Sequence, residues 1–562
     1  MNGGPQAWDY LVVTASNEPQ ARTYRSELTL RRQAGALPGV REVLVVSDPE
    51  GKRVGSGGST LECLVAVLER ELAGAAHHAA DPDPLESVLR RLRILIIHAG
   101  GDSRRLPAYG PCGKIFIPVP GEASAPWGSS LFDRIVPGFL ALPEGPKEAG
   151  QVVITAGDVL VRFDPALVSF RHPGLNALAG LDSPAQTSKH GGFCADAHGT
   201  VRLYLQKPDP SQQERLGAIN DQGLSLLDIG IMSFDARTAL ALLGAFGIGP
   251  SGARRLAWSE PMRARVLELG LDFFREVCCA LGAEASAEHY LDQVRRSGST
   301  WPEAELRELY RALSVVPFHV QSLSRCRFLH FGTTRQLISS GLELIKDQTG
   351  DPSAGTHLSL NNALLGGGEV RGAGGWIEGC RLSQPLTLGG ENVVIGIDVD
   401  EPLVLPPGAC LEVLPGLSRA GAAAFFIRWY GIDDDFKRGL ADGATLLGRP
   451  LARLLETLGL SPDEVWDATV APSQRTLWNA RLFPAEGAAS NYRRWLWVFE
   501  PERASRAQQA TLQSADRHSA SEIAGLANHA AFFERRTRIR LEAATQAAPD
   551  STGQAGAASP RN

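Results

Sequence analysis

The run Arg91-Leu-Arg-Ile-Leu-Ile-Ile-His98-Ala-Gly-Gly-Asp-Ser-Arg-Arg-Leu-Pro-Ala-Tyr-Gly-Pro-Cys-Gly-Lys114-Ile-Phe-Ile-Pro118 decides the fold. Its first part, Arg93–His98, is apolar enough for a buried strand and leads directly into Gly100 and Gly101. A backbone without Cβ atoms lets amide donors approach phosphate oxygens closely. Arg104 and Arg105 follow with the positive charge that a triphosphate needs, and Lys114 leads into a second apolar stretch. A strand-to-loop turn with exposed arginines would explain Gly-Gly alone. Strand, glycines, paired arginines and a lysine together favour an anion site. The lysine carries weight because only seven of the 56 basic residues are lysines.

Working outward, Asp9–Ala15 and Arg41–Ser47 read as strands, and Pro19–Gln33 and Ser59–Leu72 as helices. Gly55-Ser-Gly-Gly-Ser-Thr60 lies between the second strand and the second helix. Ala75–Pro84 is a small-residue connection, Leu85–Leu92 is helical, and the strand Gln151–Thr155 ends at Gly157-Asp158. Short apolar strands alternating with helices predict an α/β layer with a mostly parallel, Rossmann-like sheet over residues 1–315. Residues 316–415 change texture. Phe328–Phe331, Trp376–Glu378, Glu391–Ile397 and Leu403–Leu405 are short strands between Gly and Asn turns, which suggests a β-helix or similar solenoid without a strict hexapeptide repeat. Residues 416–545 are expected to be mostly helical, with Pro450–Leu458 and Ala520–Ala544 amphipathic. Residues 546–562 hold no large apolar side chain and read as a disordered tail.

At about 150 residues per domain, 562 residues allow three or four domains. With 43% apolar residues, 21% charged residues and a net charge of −6, the chain lacks the single-sign field that drives nucleic-acid or anionic-membrane binding. No apolar run is long enough to span a bilayer, and Met1–Tyr10 lacks a signal-peptide layout, so a cytoplasmic location is expected. The eight cysteines form no C-x-x-C pair and read as small buried hydrophobes.

Asp158 follows a strand, where ligands of open α/β sheets collect, and is placed to hold Mg²⁺ against a triphosphate. Gly55, Gly57 and Gly58 suit anion or base binding at a strand-to-helix turn, although a tight turn with a Ser or Thr cap explains them as well. They do not form G-x-G-x-x-G, which disfavours dinucleotide binding and leaves an oxidoreductase a distant choice. His98 and His330 lie in apolar strands and read as core histidines.

Gly100-Gly101-x-x-x-Arg105-Leu106, with Lys114 before Ile115-Phe-Ile-Pro118, resembles the signature of sugar-1-phosphate nucleotidyltransferases. A closer resemblance is to the GDP-fucose pyrophosphorylase family, including the pyrophosphorylase half of bifunctional fucokinase/GDP-fucose pyrophosphorylases. It is carried by Trp8–Ala15, Asp48-Pro-Glu-Gly51, Gly55–Gly58, His98–Tyr109, Phe328-Leu-His-Phe-Gly-Thr333 and Tyr430-Gly-Ile-Asp-Asp434. Ser103 stands where many nucleotidyltransferases have a third glycine, which makes the loop less free.

The resemblance implies GTP and L-fucose 1-phosphate as substrates, with GDP-L-fucose and pyrophosphate as products. It implies that Arg105 and Lys114 hold the triphosphate, with Gly100, Gly101, Ser103 and Arg104 in the nucleotide loop. It further places Lys207 on the sugar phosphate and Asp228 on the sugar or a second metal, with Asp272 as a rival for the latter. No sugar-kinase region follows residue 545, so a single reaction, with a separate sugar kinase acting before it, is expected. Another sugar 1-phosphate or nucleotide, or a non-catalytic nucleotide-sugar-binding protein on the same fold, are the alternatives. An exposed solenoid flank is compatible with a homo-oligomer.

Overall fold

The computed structural model describes residues 7–74, 83–101, 103–121, 129–252, 255–350, 358–360 and 362–547. The connection expected over Ala75–Pro84 therefore lies largely outside the described residues. So does the tail from 548 onward, whereas Gln546 and Ala547 close the last helix, His529–Ala547. The chain divides into two compact units: unit 1 comprises 1–102, 112–116 and 131–330, and unit 2 comprises 103–111, 117–130 and 331–562.

Unit 1 is built on a nine-stranded sheet. Its strands include β1 (Trp8–Ala15), β2 (Val40–Ser47), β3 (Arg93–His98) and β4 (Gln151–Ala156). Beyond them come β5 (Val159–Arg162), β6 (Leu175–Asp182), β7 (Gly191–Ala195), β8 (Val201–Gln206) and β9 (Ser225–Phe234). A hairpin of β10 (Ile248–Pro250) and β11 (Leu256–Trp258) precedes β12 (Phe318–Ser322) and β13 (Arg327–His330). The main order is β12-β6-β9-β4-β3-β1-β2. Pairs β1/β2, β1/β3 and β3/β4 are parallel, while β9 runs antiparallel to β4 and β6. The sheet is thus mixed, with its parallel part where β-α alternation was read. β5 and β13 leave it as a separate antiparallel ribbon.

Helix α1 (Glu18–Gln33) starts at Asn17, whose side chain accepts from the Gln20 amide, with Pro19 in its first turn. Helix α2 (Gly55–Gly74) begins four residues before the expected Ser59. The glycines that read as a turn are its first turn, and their reason is packing. A Cβ on Gly55 or Gly57 would overlap Leu271, and one on Gly58 would press on Val54. The Gly57 and Gly58 amides both donate to the Leu271 carbonyl, at 2.8 and 3.3 Å.

In unit 2 three parallel ladders stack short strands. One joins Leu358–Leu360, Gly375–Glu378, Asn392–Ile395 and Ala409–Leu417; a second joins Ala363–Leu364, Arg381–Leu382 and Asp398–Val399; the third joins Val370–Arg371, Leu386–Leu388 and Leu403–Leu405. Trp376 pairs with Val393, Arg381 with Asp398 and Leu386 with Leu403, each 17 residues apart, while the preceding rungs, Leu358 with Trp376, Ala363 with Arg381 and Val370 with Leu386, are spaced by 18, 18 and 16. The next segment is less helical than expected. Ala423–Gly431 is a strand, antiparallel to Ala409–Leu417, and is buried along most of its length. The helix expected over Ala520–Ala544 is interrupted. It stops at Leu526 because Ala527 bridges to Gly416 and the Asn528 amide donates to the Pro415 carbonyl, and a second helix starts at His529. Among the described residues no helix is long and apolar enough to cross a membrane.

Candidate active site

β1, β3 and β4 end side by side, with His98 opposite Ala156 in the β3/β4 register. Gly100 and Gly101 follow β3, and Asp158 follows β4. Thr14, near the end of β1, fixes the first turn of the glycine loop: its Oγ1 accepts from the Ala99 and Gly100 amides at 3.0 and 3.1 Å. β1 pairs with β2 on one side and β3 on the other. Such a switch point at the carboxyl edge of parallel strands is where ligands of these sheets collect.

Lys114 reaches this edge because of what lies beneath it. Gly113 has φ +72, and a Cβ there would overlap the ring of Tyr24, whose hydroxyl donates to the Ala99 carbonyl at 2.9 Å. Ile115 and Phe116 are buried, and Phe116 stacks on Phe132 with ring centroids 5.3 Å apart. The buried Arg31 lies over both rings and pairs with Glu27 and Asp133, each at 2.6 Å. Gly157 completes the approach, since a Cβ would press on the His98 carbonyl and Ile115.

Lys114 Nζ stands 3.3 Å from Asp158 Oδ2, and His330 Nε2 stands 3.4 Å from the same oxygen. Burial alone would push the Asp158 carboxyl up. The Lys114 ammonium and the His330 imidazole outweigh it and hold the group well below the usual carboxylate range. Both contacts fall on Oδ2, leaving Oδ1 without a protein partner among the described residues. His330 comes from β13, whose pairing sets it opposite Val159. It is therefore not the core histidine its apolar strand suggested. The His190 ring meets it edge-on, with centroids 5.6 Å apart. Burial, and then the neighbouring His330, pull the His190 imidazole down to about 4. The His190 carbonyl accepts from the Lys207 amide at 2.7 Å and so holds the exposed Lys207 in a left-handed conformation, φ +49. Lys114, Asp158 and Lys207 are joined through two histidines that sequence reasoning did not select. The only signal for one of them was its place in Phe328-Leu-His-Phe-Gly-Thr333.

Asp228 is buried at 5% exposure, accepting from the Tyr204 hydroxyl and the Gly230 amide, each at 2.8 Å. Burial raises its carboxyl to about 6. Asp272 caps the turn Phe273–Val277 by accepting from the Phe274 and Arg275 amides. His98 faces Thr60 Oγ1 at 3.0 Å, and burial pulls it down to about 4.

Ser103, Arg104 and Arg105 belong to unit 2. Ser103 takes φ +53, the left-handed conformation that favours glycine. The Arg104 guanidinium lies 5.8 Å from the Trp478 ring centroid. Arg105 exposes its side chain, while its carbonyl accepts from the Thr334 amide at 3.0 Å.

Among the described residues no group of three or more His, Cys, Asp or Glu forms a metal cage. Mg²⁺ needs few protein ligands, because phosphate oxygens and water complete its shell. Asp158 Oδ1 is a hard oxygen donor of the required kind.

Unit 1 is thus an α/β fold with a lysine–carboxylate pair at the carboxyl edge of its parallel strands. The pattern of the fucose pyrophosphorylase domain matches residues 86–487, and the chain belongs to that family. It is similar to the bifunctional fucokinase/GDP-fucose pyrophosphorylase of Arabidopsis thaliana, with 27% identity over 524 residues covering 85% of this chain and 47% of that protein. Similarity to the L-fucokinase/L-fucose-1-P guanylyltransferase of Bacteroides fragilis is 27% over 511 residues, 88% of this chain and 48% of that protein. The fucose-1-phosphate guanylyltransferase of Mus musculus is 24% identical over 525 residues, 85% of this chain and 83% of that protein. The chain spans about half the length of the first two relatives.

Proposed function

We propose that the chain is a nucleotidyltransferase that converts GTP and L-fucose 1-phosphate into GDP-L-fucose and pyrophosphate. The observation that carries this is the Lys114–Asp158 pair, 3.3 Å apart beside the β3 glycine loop, in a chain of the fucose pyrophosphorylase domain family. A phosphate oxygen of the sugar attacks the α-phosphorus of GTP. The bond from that phosphorus to the bridging oxygen breaks, and pyrophosphate leaves with the electron pair.

Such chemistry is positioning and charge neutralisation. The amides of Gly100 and Gly101 and the side chain of Lys114 bind the triphosphate, and Lys207 binds the sugar phosphate; the role of Arg105 on the triphosphate rests on the family resemblance alone. Asp158 Oδ1 would hold Mg²⁺, which when bound supplies Lewis-acid screening of the phosphate charge. Gly55 and Gly57 serve packing on Leu271 and Gly58 packing on Val54, and Asp228 and Asp272 order their own turns. The parallel part of the unit 1 sheet supports a Rossmann-like nucleotide domain. The parallel stacking of unit 2, with rungs 16 to 18 residues apart, supports a β-helix, followed by the helices that end at Ala547. Eight free cysteines fit a reducing cytoplasm.

The test is incubation with Mg²⁺, a panel of nucleoside triphosphates and a panel of sugar 1-phosphates, following pyrophosphate release and the nucleotide sugar by chromatography. GTP with fucose 1-phosphate should give the highest kcat/KM. Preference for another pair would replace the substrates, and no release with any pair would reject the reaction.

A further inference from the structure

Two histidines stand between the residues proposed to act on phosphate. His330 is on the β5/β13 ribbon and presents Nε2 to Asp158 Oδ2 at 3.4 Å, with its side chain 17% exposed. His190 closes one side of its ring at 5.6 Å and packs edge-on against Phe328 at 4.9 Å. The His190 carbonyl in turn fixes the Lys207 amide. A carboxylate after a strand has free rotation about its side chain unless a donor selects one oxygen. Lys114 alone, a flexible point charge, selects weakly. A ring nitrogen on a paired strand, packed by a second ring, selects strongly, as the outer partners of metal ligands do.

We propose that His330 is a positioning residue of the reaction: with His190 packed behind it, it holds Asp158 Oδ2 so that Oδ1 is turned outward toward the cation and phosphate. This inference rests on the proposed reaction and adds to it a residue that touches neither substrate. His330 acts through Asp158, and the His190–Lys207 contact places the sugar-phosphate lysine on the same support.

The experiment compares His330→Phe, which keeps a ring against His190 but has no donor, with His330→Gln, whose side-chain N–H reaches about as far as Nε2. Binding of Mn²⁺ in the presence of GTP is followed by electron paramagnetic resonance, and kcat and KM are measured for folded proteins verified by circular dichroism. His330→Phe should weaken Mn²⁺ binding about tenfold and lower kcat by roughly 10–100-fold. The KM for fucose 1-phosphate should change less, and His330→Gln should recover most of the loss. In an Asp158→Asn background, where the remaining Mn²⁺ affinity is what is read, His330→Phe should add nothing, because its route of action is already removed. Parent-like Mn²⁺ binding and turnover in His330→Phe would overturn the inference while leaving the reaction standing. An equal further loss in the Asp158→Asn background would overturn it too. A parent protein that binds no Mn²⁺ with GTP would overturn both.

Discussion

Arg428 reaches back 321 positions along the chain to donate from Nη2 to the Pro107 carbonyl at 2.8 Å. The same guanidinium pairs with Glu412, both side chains are 0% exposed, and Tyr430 donates its hydroxyl to that carboxylate. Removing two charges from water is costly, so such a pair is weak as a source of stability and strong as a fixed point. What it fixes is the turn directly after Arg104-Arg105. Tyr109 at the end of that turn accepts from Trp376 Nε1 at 2.8 Å, a second tie to the ladders.

Arg428→Ala should therefore leave a buried carboxylate without its counter-charge and cost about 3–5 kcal/mol in urea denaturation. Arg428→Met combined with Glu412→Gln should recover a large part of that cost. A loss of less than about 1 kcal/mol in the single variant would show that the pair is not held as a desolvated ion pair.

Turnover should separate the phosphate-handling residues from ordinary surface charge. Lys114→Ala and Arg105→Ala should each lower kcat by roughly 10²–10³, and Asp158→Asn should abolish turnover in a folded protein. Lys147, exposed in a loop of unit 1, is the control, and Lys147→Ala should keep parent kinetics. If the three site variants retain kcat/KM within a few-fold of the parent, as the control does, the glycine loop and the Asp158 turn are not the site.

Gly113→Ala tests the support under Lys114. The left-handed backbone and the overlap with Tyr24 should together cost at least about 2 kcal/mol. Adding Tyr24→Phe, which removes the hydroxyl nearest the new methyl, should return part of the loss in thermal melts. Parent-like melting of Gly113→Ala would mean that this packing is loose.

Asp228 gives a pH dependence with a defined sign. Its carboxyl is raised to about 6 by burial from the ordinary 3.8. Between about pH 4 and 6 the folded protein therefore binds more protons than the unfolded one, and stability falls as pH rises through that window. Above it the full cost, on the order of 2–3 kcal/mol, is present. Asp228→Asn should flatten this part of the stability profile measured by denaturant titration. An unchanged slope would assign it to other groups.

Much of unit 1 was legible because a parallel strand buried on both faces reads as an unbroken apolar run, as Arg93–His98 does, and because Gly100-Gly101 and Gly157-Asp158 punctuate two such strands. The histidines at Asp158 were not legible. The position of His330 depends on the β5/β13 ribbon, which pairs residues far apart in sequence, and His190 reaches it from the residue before β7. Helix α2 began earlier than read because glycine disfavours helix locally, whereas the Leu271 carbonyl rewards it through two amides. The regular stacking escaped notice because its rungs vary between 16 and 18 residues and strands of two to four residues carry too few side chains for a visible period. Ala423–Gly431 escaped because burial on both faces erases alternation.

The interleaving of the two units bears on how this chain can be inherited. Membership changes at 102–103, 111–112, 116–117 and 130–131 before the last change at 330–331. No single crossover in a gene exchange can swap either unit whole, because five boundaries separate their segments along the chain. The stretch from Gly100 to Lys114 is divided between both units along the chain, so it is inherited as one cassette rather than as exchangeable modules.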